Sequence, residues 1–297
     1  MVTAGSGNEL SARHRALLNE WLGEWTLVQD LSWPLQDTTV LRVAVPRGLG
    51  GGGRSGQPGE HIVKASETSQ HIAREIAAHR VVDPLGLPAP RLEFADETAG
   101  ILVTGYLPGD LLLGTPAQRD AQAFEQAGDI LRRLQVPGEL SQDYAAAVID
   151  QSNELLEKAA GLVDEESIAR VRERLARLRA RPVRLHFTHG DYQPRNWLVH
   201  DGTVAVIDFG RGAQRSWVSD LVRLRSKDFH EHPELEAAFM SGMGREVDEA
   251  DAELLTLETL REAVGTVVWS RSIGDDDFEE HGRIMIRRLL ANTNGAP

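Results

Sequence analysis

The chain has 297 residues, of which 41% are hydrophobic and 26% are charged, as is ordinary for a soluble globular protein. It contains no cysteine, which excludes disulfides and thiol nucleophiles, and no run approaches the roughly 18 apolar residues of a membrane span. The net charge of −13 argues against general nucleic-acid binding, and because no apolar signal segment opens the sequence, we expect a cytoplasmic protein.

The N-terminal part of the chain combines β-like runs with two helical patterns. The spacing of leucines predicts a helix over Glu9–Leu22, which Gly23 ends, and a second helix is predicted over Ser69–Val82, before Pro84. The β-like runs are Trp25–Gln29, Thr38–Val45, His61–Ala65 and Ile101–Thr104. A sheet with one inserted helix is the expected arrangement.

Beyond Tyr106 helical patterns dominate. The predicted helices are Ala117–Leu134, Tyr144–Gly161, Asp164–Ala180, Trp217–Ser226, Pro233–Gly242, Asp248–Trp269 and Asp276–Leu290. The chain is therefore predicted to be of the α+β class, with a strand-rich N-terminal part and a larger, mostly helical C-terminal part.

One β-hairpin interrupts the helical part. Asp201-Gly202 separates two short apolar runs, and this dipeptide favours a type I′ turn, which needs positive φ at both positions. Counting outward from the turn pairs Asn196 with Ile207, so Asn196 and Asp208 are expected at the same open end. Two neighbouring oxygen ligands suit a hard cation such as magnesium. Asp191 lies on a loop just ahead of this hairpin.

The motifs around this hairpin are His-Gly-Asp-Tyr-Gln-Pro-Arg-Asn at 189–196 and Val-Ile-Asp-Phe-Gly-Arg at 206–211. Together they resemble the signature of the aminoglycoside phosphotransferase family, relatives of the protein kinases. The resemblance implies that Asp191 is the catalytic base and that Asn196 and Asp208 bind Mg²⁺. It also implies that Asp220 has a structural role that holds the catalytic loop.

The same resemblance implies a two-lobed, protein-kinase-like fold. The expected lobes are an N-terminal nucleotide-binding lobe, residues 1–105, and a C-terminal catalytic and substrate-binding lobe, residues 106–297. Lys64, in a predicted strand, and Glu75, in the following helix, are expected to pair and to position nucleotide phosphates. The nucleotide is expected to be ATP, with GTP as a possible substitute.

Two segments compete for the role of the loop that covers the phosphates. Gly48, Gly50 and Gly53 form a literal glycine-rich motif, but too few residues separate it from the Lys64 strand for another strand and turn. We favour Leu31–Asp37, where Ser32 or main-chain groups would contact phosphate. Contact between Gly48–Gly53 and the nucleotide stays open.

Adenine is expected at the hinge that follows the Ile101 strand, bound by main-chain groups of Thr104, Gly105 and Tyr106. In this family the acceptor is held by the C-terminal helices, often by carboxylates. The corresponding candidates here are Asp276, Glu279 and Glu280, although acidic residues at a helix N-terminus are also favourable for structural reasons alone.

The function predicted from these features is phosphorylation of a hydroxyl on a small molecule. The favoured acceptor is a cationic antibiotic, either an aminoglycoside or a basic cyclic peptide, which would give resistance. The alternatives are a metabolic kinase of the same fold, acting on choline, homoserine or a sugar, and a catalytically idle binding protein. No nucleic-acid or membrane partner is expected, and the protein is expected to be a monomer or a weak dimer.

Overall fold

The computed structural model of the protein describes residues 10–33, 38–46, 59–68 and 70–291. These residues group into two units. The first unit comprises Met1–Leu134 and Pro194–Ala213, and the second comprises Gln135–Gln193 and Gln214–Pro297. This division differs from the lobes predicted at 1–105 and 106–297, whose assignment to nucleotide and substrate binding stays a prediction.

A five-stranded antiparallel sheet forms the centre of the first unit. Its strand order is β1-β2-β3-β5-β4. Buried and less buried side chains alternate along β2 and β3, and β5 is almost wholly buried, as the Val, Ile and Leu content of these strands favours. The strands are β1 (Thr26–Asp30), β2 (Thr39–Val45), β3 (Gly59–Ala65), β4 (Leu92–Asp96) and β5 (Ile101–Gly105). Only β4 lacks a counterpart among the predicted runs.

Two helices cover this sheet. Helix α1 (Ala12–Leu22) begins at Ser11, whose side chain accepts the His14 N–H at 3.2 Å, and Gly23 ends it with a φ of 72°. The apolar stripe of α1 joins Val43, Val63 and Val103 in the main core. Helix α2 (Gln70–Val82) packs Ile72 and Ile76 against Leu102 of β5.

A second, smaller sheet of the first unit carries the predicted hairpin. It has the order β10-β9-β6, formed by β6 (Asp110–Leu111), β9 (Trp197–His200) and β10 (Thr203–Val206). Helix α3 (Ala121–Leu134) packs on it, with the Phe124 and Trp197 rings edge to face at 5.2 Å. Both aromatic side chains are fully buried, which fixes the hairpin against the helix.

The second unit is mainly helical. Its helices are α4 (Tyr144–Lys158), α5 (Glu165–Arg177), α6 (Val222–Ser226), α7 (Asp228–Glu231), α8 (Pro233–Met243), α9 (Glu249–Ile273) and α10 (Asp276–Ala291). The predicted helix over Trp217–Ser226 is instead a 3-10 turn, Trp217–Leu221, followed by α6. Helix α9 extends to Ile273 and packs against α4 and α10.

A short sheet completes this unit, with the order β11-β8-β7. Its strands are β7 (Pro137–Ser141), β8 (Val183–Thr188) and β11 (Ala213–Ser216). Strand β8 leads directly into the His189–Asp191 loop, so the sheet fixes where that loop begins. Among the residues that the structure describes, no helix is both long enough and apolar enough to cross a membrane.

Candidate active site

The hairpin places Asn196 and Asp208 as predicted. The register pairs Thr203 with His200 and continues to Val206 with Trp197, after which the Ile207 N–H donates to the Asn196 carbonyl at 3.0 Å. Asp201 and Gly202 have φ values of 47° and 74°, as a type I′ turn requires. The sequence-based prediction of this local geometry is confirmed: Asn196 and Asp208 leave the hairpin at the same end.

Asp208 has an unusual backbone conformation. Its φ is 68°, in the left-handed region that residues with a side chain rarely adopt. Such a conformation costs on the order of 1–3 kcal/mol and persists where the surrounding structure holds it, often at functional sites. Its side chain is 48% exposed, so the carboxylate reaches solvent even though its backbone is tightly constrained.

Lys64 joins Glu75 and Asp208 in one ion-pair group. Its Nζ donates to both carboxylate oxygens of Glu75, at 2.8 and 2.9 Å, and to Oδ1 of Asp208 at 2.9 Å. Burial of Lys64 acts to lower its pKa, but the carboxylates of Asp208 and Glu75 together raise that pKa above its ordinary value. The side chain therefore stays cationic and is held between Glu75 and Asp208.

The His189–Asp191 loop in the second unit is held by Asp220. The carboxylate of Asp220 accepts the Gly190 N–H at 2.7 Å and the His189 N–H at 3.0 Å. Gly190 has a φ of 78°, which explains why glycine stands between the histidine and the aspartate. The structural role predicted for Asp220 is confirmed.

His189 braces the same loop from inside. Its ring is fully buried, lies edge to face with Tyr192 at 5.5 Å and bonds through Nδ1 to the Asp191 N–H at 3.2 Å. The imidazole therefore packs and supports the loop.

Two contacts of Arg223, one of them to Asp191, had no counterpart in the sequence analysis. Arg223 of α6 donates from Nη1 to Oδ1 of Asp191 and from Nε to Glu262 of α9, the latter at 2.9 Å. Arg223 lies three residues after Asp220, but nothing in the local sequence connects Arg223 with Asp191, which is 32 residues away. Glu262 is a further 39 residues along the chain and carries no motif.

The predicted hinge residues lie at the end of β5. Thr104 is buried and paired with Ile62 of β3. The Gly105 N–H donates to the Arg91 carbonyl at 3.1 Å, and the Tyr106 N–H donates to the Glu60 carbonyl at 3.0 Å. The N–H groups of Gly105 and Tyr106 are therefore used in contacts within this unit, and adenine binding by main-chain groups of Thr104, Gly105 and Tyr106 stays a prediction.

Both candidate phosphate loops fall largely outside the described residues. Ser32 is described, and its Oγ accepts the Val40 N–H at 2.9 Å, so its side chain caps the adjoining strand. Residues 34–37 and 47–58, which include Gly48–Gly53, lie outside the described part of the chain. The antiparallel pairing of β2 with β3 extends to Val45 and Gly59, so the glycine-rich segment connects these two strands as expected.

The acidic residues proposed for acceptor binding differ in their surroundings. Asp276 is exposed at the start of α10. Glu279 is buried and pairs with Arg283, and Glu280 pairs with Arg287 at 2.5 Å. Two of the three carboxylates thus already have arginine partners within their own helix.

The residues at the hairpin end fit a magnesium ion in their chemistry. Asn196 offers an amide oxygen and Asp208 a carboxylate, which are the hard ligands that Mg²⁺ prefers. Within residues 10–33, 38–46, 59–68 and 70–291, no group of three or more His, Asp or Glu side chains forms a metal site. In a nucleotide-bound Mg²⁺ site, phosphate oxygens and water complete the shell that one or two protein ligands begin.

The fold and these motifs define a kinase-like phosphotransferase. The chain matches the family described as the phosphotransferase enzyme family, APH, over residues 35–254, which is well over half of its length. It belongs to this family and is an O-phosphotransferase. The predictions of the family, of the kinase-like α+β fold and of the enzyme class are confirmed. No curated protein matches the sequence.

Several solved structures share this fold. A thermostable mutant of aminoglycoside phosphotransferase APH(4)-Ia, in a ternary complex with ADP and hygromycin B, has a TM-score of 0.69 and 14% identity, covering 96% of this chain and 100% of that chain. APH(2″)-IIIa with GDP and kanamycin has a TM-score of 0.67 and 15% identity, covering 95% and 99%.

The macrolide 2′-phosphotransferase MphH from Brachybacterium faecium has a TM-score of 0.59 and 15% identity, covering 89% of this chain and 92% of that chain. At these identities the likeness concerns the fold alone.

Proposed function

We propose that this protein transfers the γ-phosphate of ATP, in a magnesium-dependent reaction, to a hydroxyl group of a small cationic antibiotic. The observation that carries the proposal is the Lys64 group, in which one buried ammonium is held between Glu75 and Asp208 at 2.8 and 2.9 Å. This arrangement suits a lysine that Glu75 orients toward phosphate, with the 48% exposed carboxylate of Asp208 beside it as the candidate metal ligand.

The proposed roles follow from the chemistry of these side chains. Lys64 binds phosphate oxygens and Glu75 fixes its ammonium group. Asn196 and Asp208 would hold Mg²⁺, which would neutralise charge on the phosphates. The acceptor oxygen bonds to the γ-phosphorus, the bond from that phosphorus to the bridging oxygen breaks, and ADP leaves. Asp191 receives the hydroxyl proton.

The choice of acceptor has the least support. The net charge of −13 and exposed acidic groups such as Asp276 favour a cation. Two of the three similar structures described above were solved with hygromycin B or kanamycin. In contrast, the arginine partners of Glu279 and Glu280 reduce the acidic surface that α10 offers to a polycation. Small metabolic alcohols therefore belong in any acceptor screen.

The test is a nucleotide-turnover screen with the purified protein. MgATP and MgGTP are each combined with aminoglycosides, basic cyclic peptides, macrolides, choline, homoserine and sugars, and release of the nucleoside diphosphate is measured. We expect acceptor-dependent turnover that Asp191→Asn and Asp208→Asn each reduce at least about 1,000-fold. Turnover that survives both substitutions would show that these carboxylates are not the reactive groups.

A further inference from the structure

Arg223 links the predicted catalytic base to helix α9. Its Nη1 donates to Oδ1 of Asp191. The opposite edge of the guanidinium faces Glu262, with Nε at 2.9 Å and Nη2 at 2.7 Å from the same carboxylate oxygen, Oε1. One arginine side chain is thus fixed along one edge by Glu262 and presents the remaining nitrogen to Asp191.

All three charged groups are poorly exposed. The side chain of Asp191 is 4% exposed, that of Arg223 is 19% exposed and that of Glu262 is 21% exposed. Burial acts to lower the pKa of Arg223, but Glu262 and Asp191 raise it above its ordinary value. The guanidinium is therefore permanently charged, and its contacts hold it in one orientation.

Two donors act on the same oxygen of Asp191. Besides Arg223, the Gln193 side chain donates from Nε2 to Oδ1 at 2.5 Å. Two donors on one carboxylate oxygen restrict rotation of the carboxylate about its Cβ–Cγ bond. Gln193 lies on the same loop as Asp191, whereas Arg223 is anchored from outside that loop, so Arg223 relates the carboxylate to α9.

We propose that Arg223, held by Glu262, is a positioning residue that fixes the Asp191 carboxylate for the acceptor hydroxyl. This inference rests on the proposed function. A neighbouring guanidinium makes a carboxylate a weaker base, which would harm a reaction that depends on base strength. Phosphoryl transfer depends mainly on alignment and charge neutralisation, so the gain in orientation exceeds that loss.

The experiment compares Arg223→Met, Arg223→Lys and Glu262→Gln with wild type. The matched control is Arg225→Met, because Arg225 lies two residues along the same helix and pairs with Glu236 at 2.6 Å. For each protein, kcat and the KM values for nucleotide and acceptor are measured with the best acceptor from the screen. Urea unfolding reports the folded fraction.

We expect Arg223→Met to lower kcat about 100-fold, the scale of a misaligned reacting group, with the KM for nucleotide unchanged within about twofold. Arg223→Lys retains the charge and should recover about tenfold of that loss. Glu262→Gln, which weakens the anchor, should lie between wild type and Arg223→Met. Arg225→Met should keep kcat within about twofold.

A double substitution separates positioning from a general structural effect. In an Asp191→Asn background, adding Arg223→Met should not reduce the residual rate further, since the group it positions is already removed. A full additional loss would overturn the inference, as would an unchanged kcat in Arg223→Met or an equal loss in Arg225→Met.

The outcome also distinguishes this inference from the proposed function. If Asp191→Asn lowers turnover at least about 1,000-fold and Arg223→Met leaves kcat unchanged, only the role of Arg223 is wrong. If wild type transfers phosphate to no acceptor, the proposed function fails and the positioning role fails with it.

Discussion

Replacing Asp220 tests how the His189–Asp191 loop is held. Its carboxylate accepts N–H groups from Gly190 at 2.7 Å and His189 at 3.0 Å, and Gln135 Nε2 lies 3.4 Å away. Asp220 is 2% exposed and His189 is fully buried, so solvent cannot readily replace the lost acceptor. The Asp220→Ala protein would therefore have two backbone donors with no acceptor next to Asp191.

The expected loss of stability follows from those two donors. An unsatisfied buried donor costs about 1–3 kcal/mol, so two cost about 2–6 kcal/mol of unfolding free energy. Burial raises the pKa of Asp220, which means that desolvation of the charged carboxylate offsets part of what its hydrogen bonds contribute. We therefore expect a loss of about 3 kcal/mol for Asp220→Ala, in the lower half of that range.

Asp220→Asn gives an intermediate test. The amide keeps one acceptor oxygen but turns an NH₂ group toward the second N–H, so one of the two bonds is lost. We expect about half the effect of Asp220→Ala, roughly 1.5 kcal/mol. Because Gly190 directly precedes Asp191, both variants should also lower kcat.

The assay is urea unfolding followed by far-ultraviolet circular dichroism, with the slope of the transition compared between proteins. The control is Asp150→Asn, which removes a negative charge from the exposed face of α4 and should change stability by less than about 0.5 kcal/mol. If Asp220→Ala unfolds at the same urea concentration as this control, the carboxylate does not hold the loop.

Four further substitutions extend these tests. Glu75→Gln removes one of two carboxylates from Lys64, and we expect the KM for nucleotide to rise about tenfold; an unchanged KM would mean that the pair does not orient the ammonium group. Gly190→Ala and Gly202→Ala both force a side chain into positive φ, at 78° and 74°, and each should lose about 1 kcal/mol in urea unfolding. Only Gly190→Ala should also lower kcat by more than tenfold, so equal effects on kcat would contradict the loop assignment. His186 is buried, and this burial, together with the charge of Arg245, lowers its pKa below 6.5. Below pH 6.5 the unfolded chain therefore binds more protons than the folded protein, so the free energy of unfolding should fall as the pH is lowered. His186→Gln should flatten that decline when unfolding is measured from pH 7.5 to 5.

Some of the site follows from local chemistry. The Asp201-Gly202 turn sets the hairpin register because only residues that tolerate positive φ close a type I′ turn, and this register brings Asn196 and Asp208 to one end. The pairing of Lys64 with Glu75, eleven residues apart, follows from a strand that leads into a helix. These signals lie within a few residues of what they determine.

Other elements were missed or wrongly predicted from the sequence. Strand β4 pairs with β5, and its run of five residues is short. Strand β8 pairs with β7 and β11 and alternates apolar and polar residues over Val183–Thr188, a signal that the sequence analysis missed. The helix predicted over Trp217–Ser226 divides at Leu221, where Trp217 bonds to Asp251 of α9 and Asp220 turns inward to the loop. Tertiary contacts override the local helical pattern here.

The sequence alone determined the family, the enzyme class and the local placement of the hairpin residues, since short-range turn and motif chemistry specifies them. Only the tertiary structure placed Arg223 and Glu262 beside Asp191, and only it showed that Gly105 and Tyr106 use their N–H groups within the sheet. The physical reason is that these contacts join segments tens of residues apart. Their geometry depends on packing and chain closure across a whole unit, which no local pattern records.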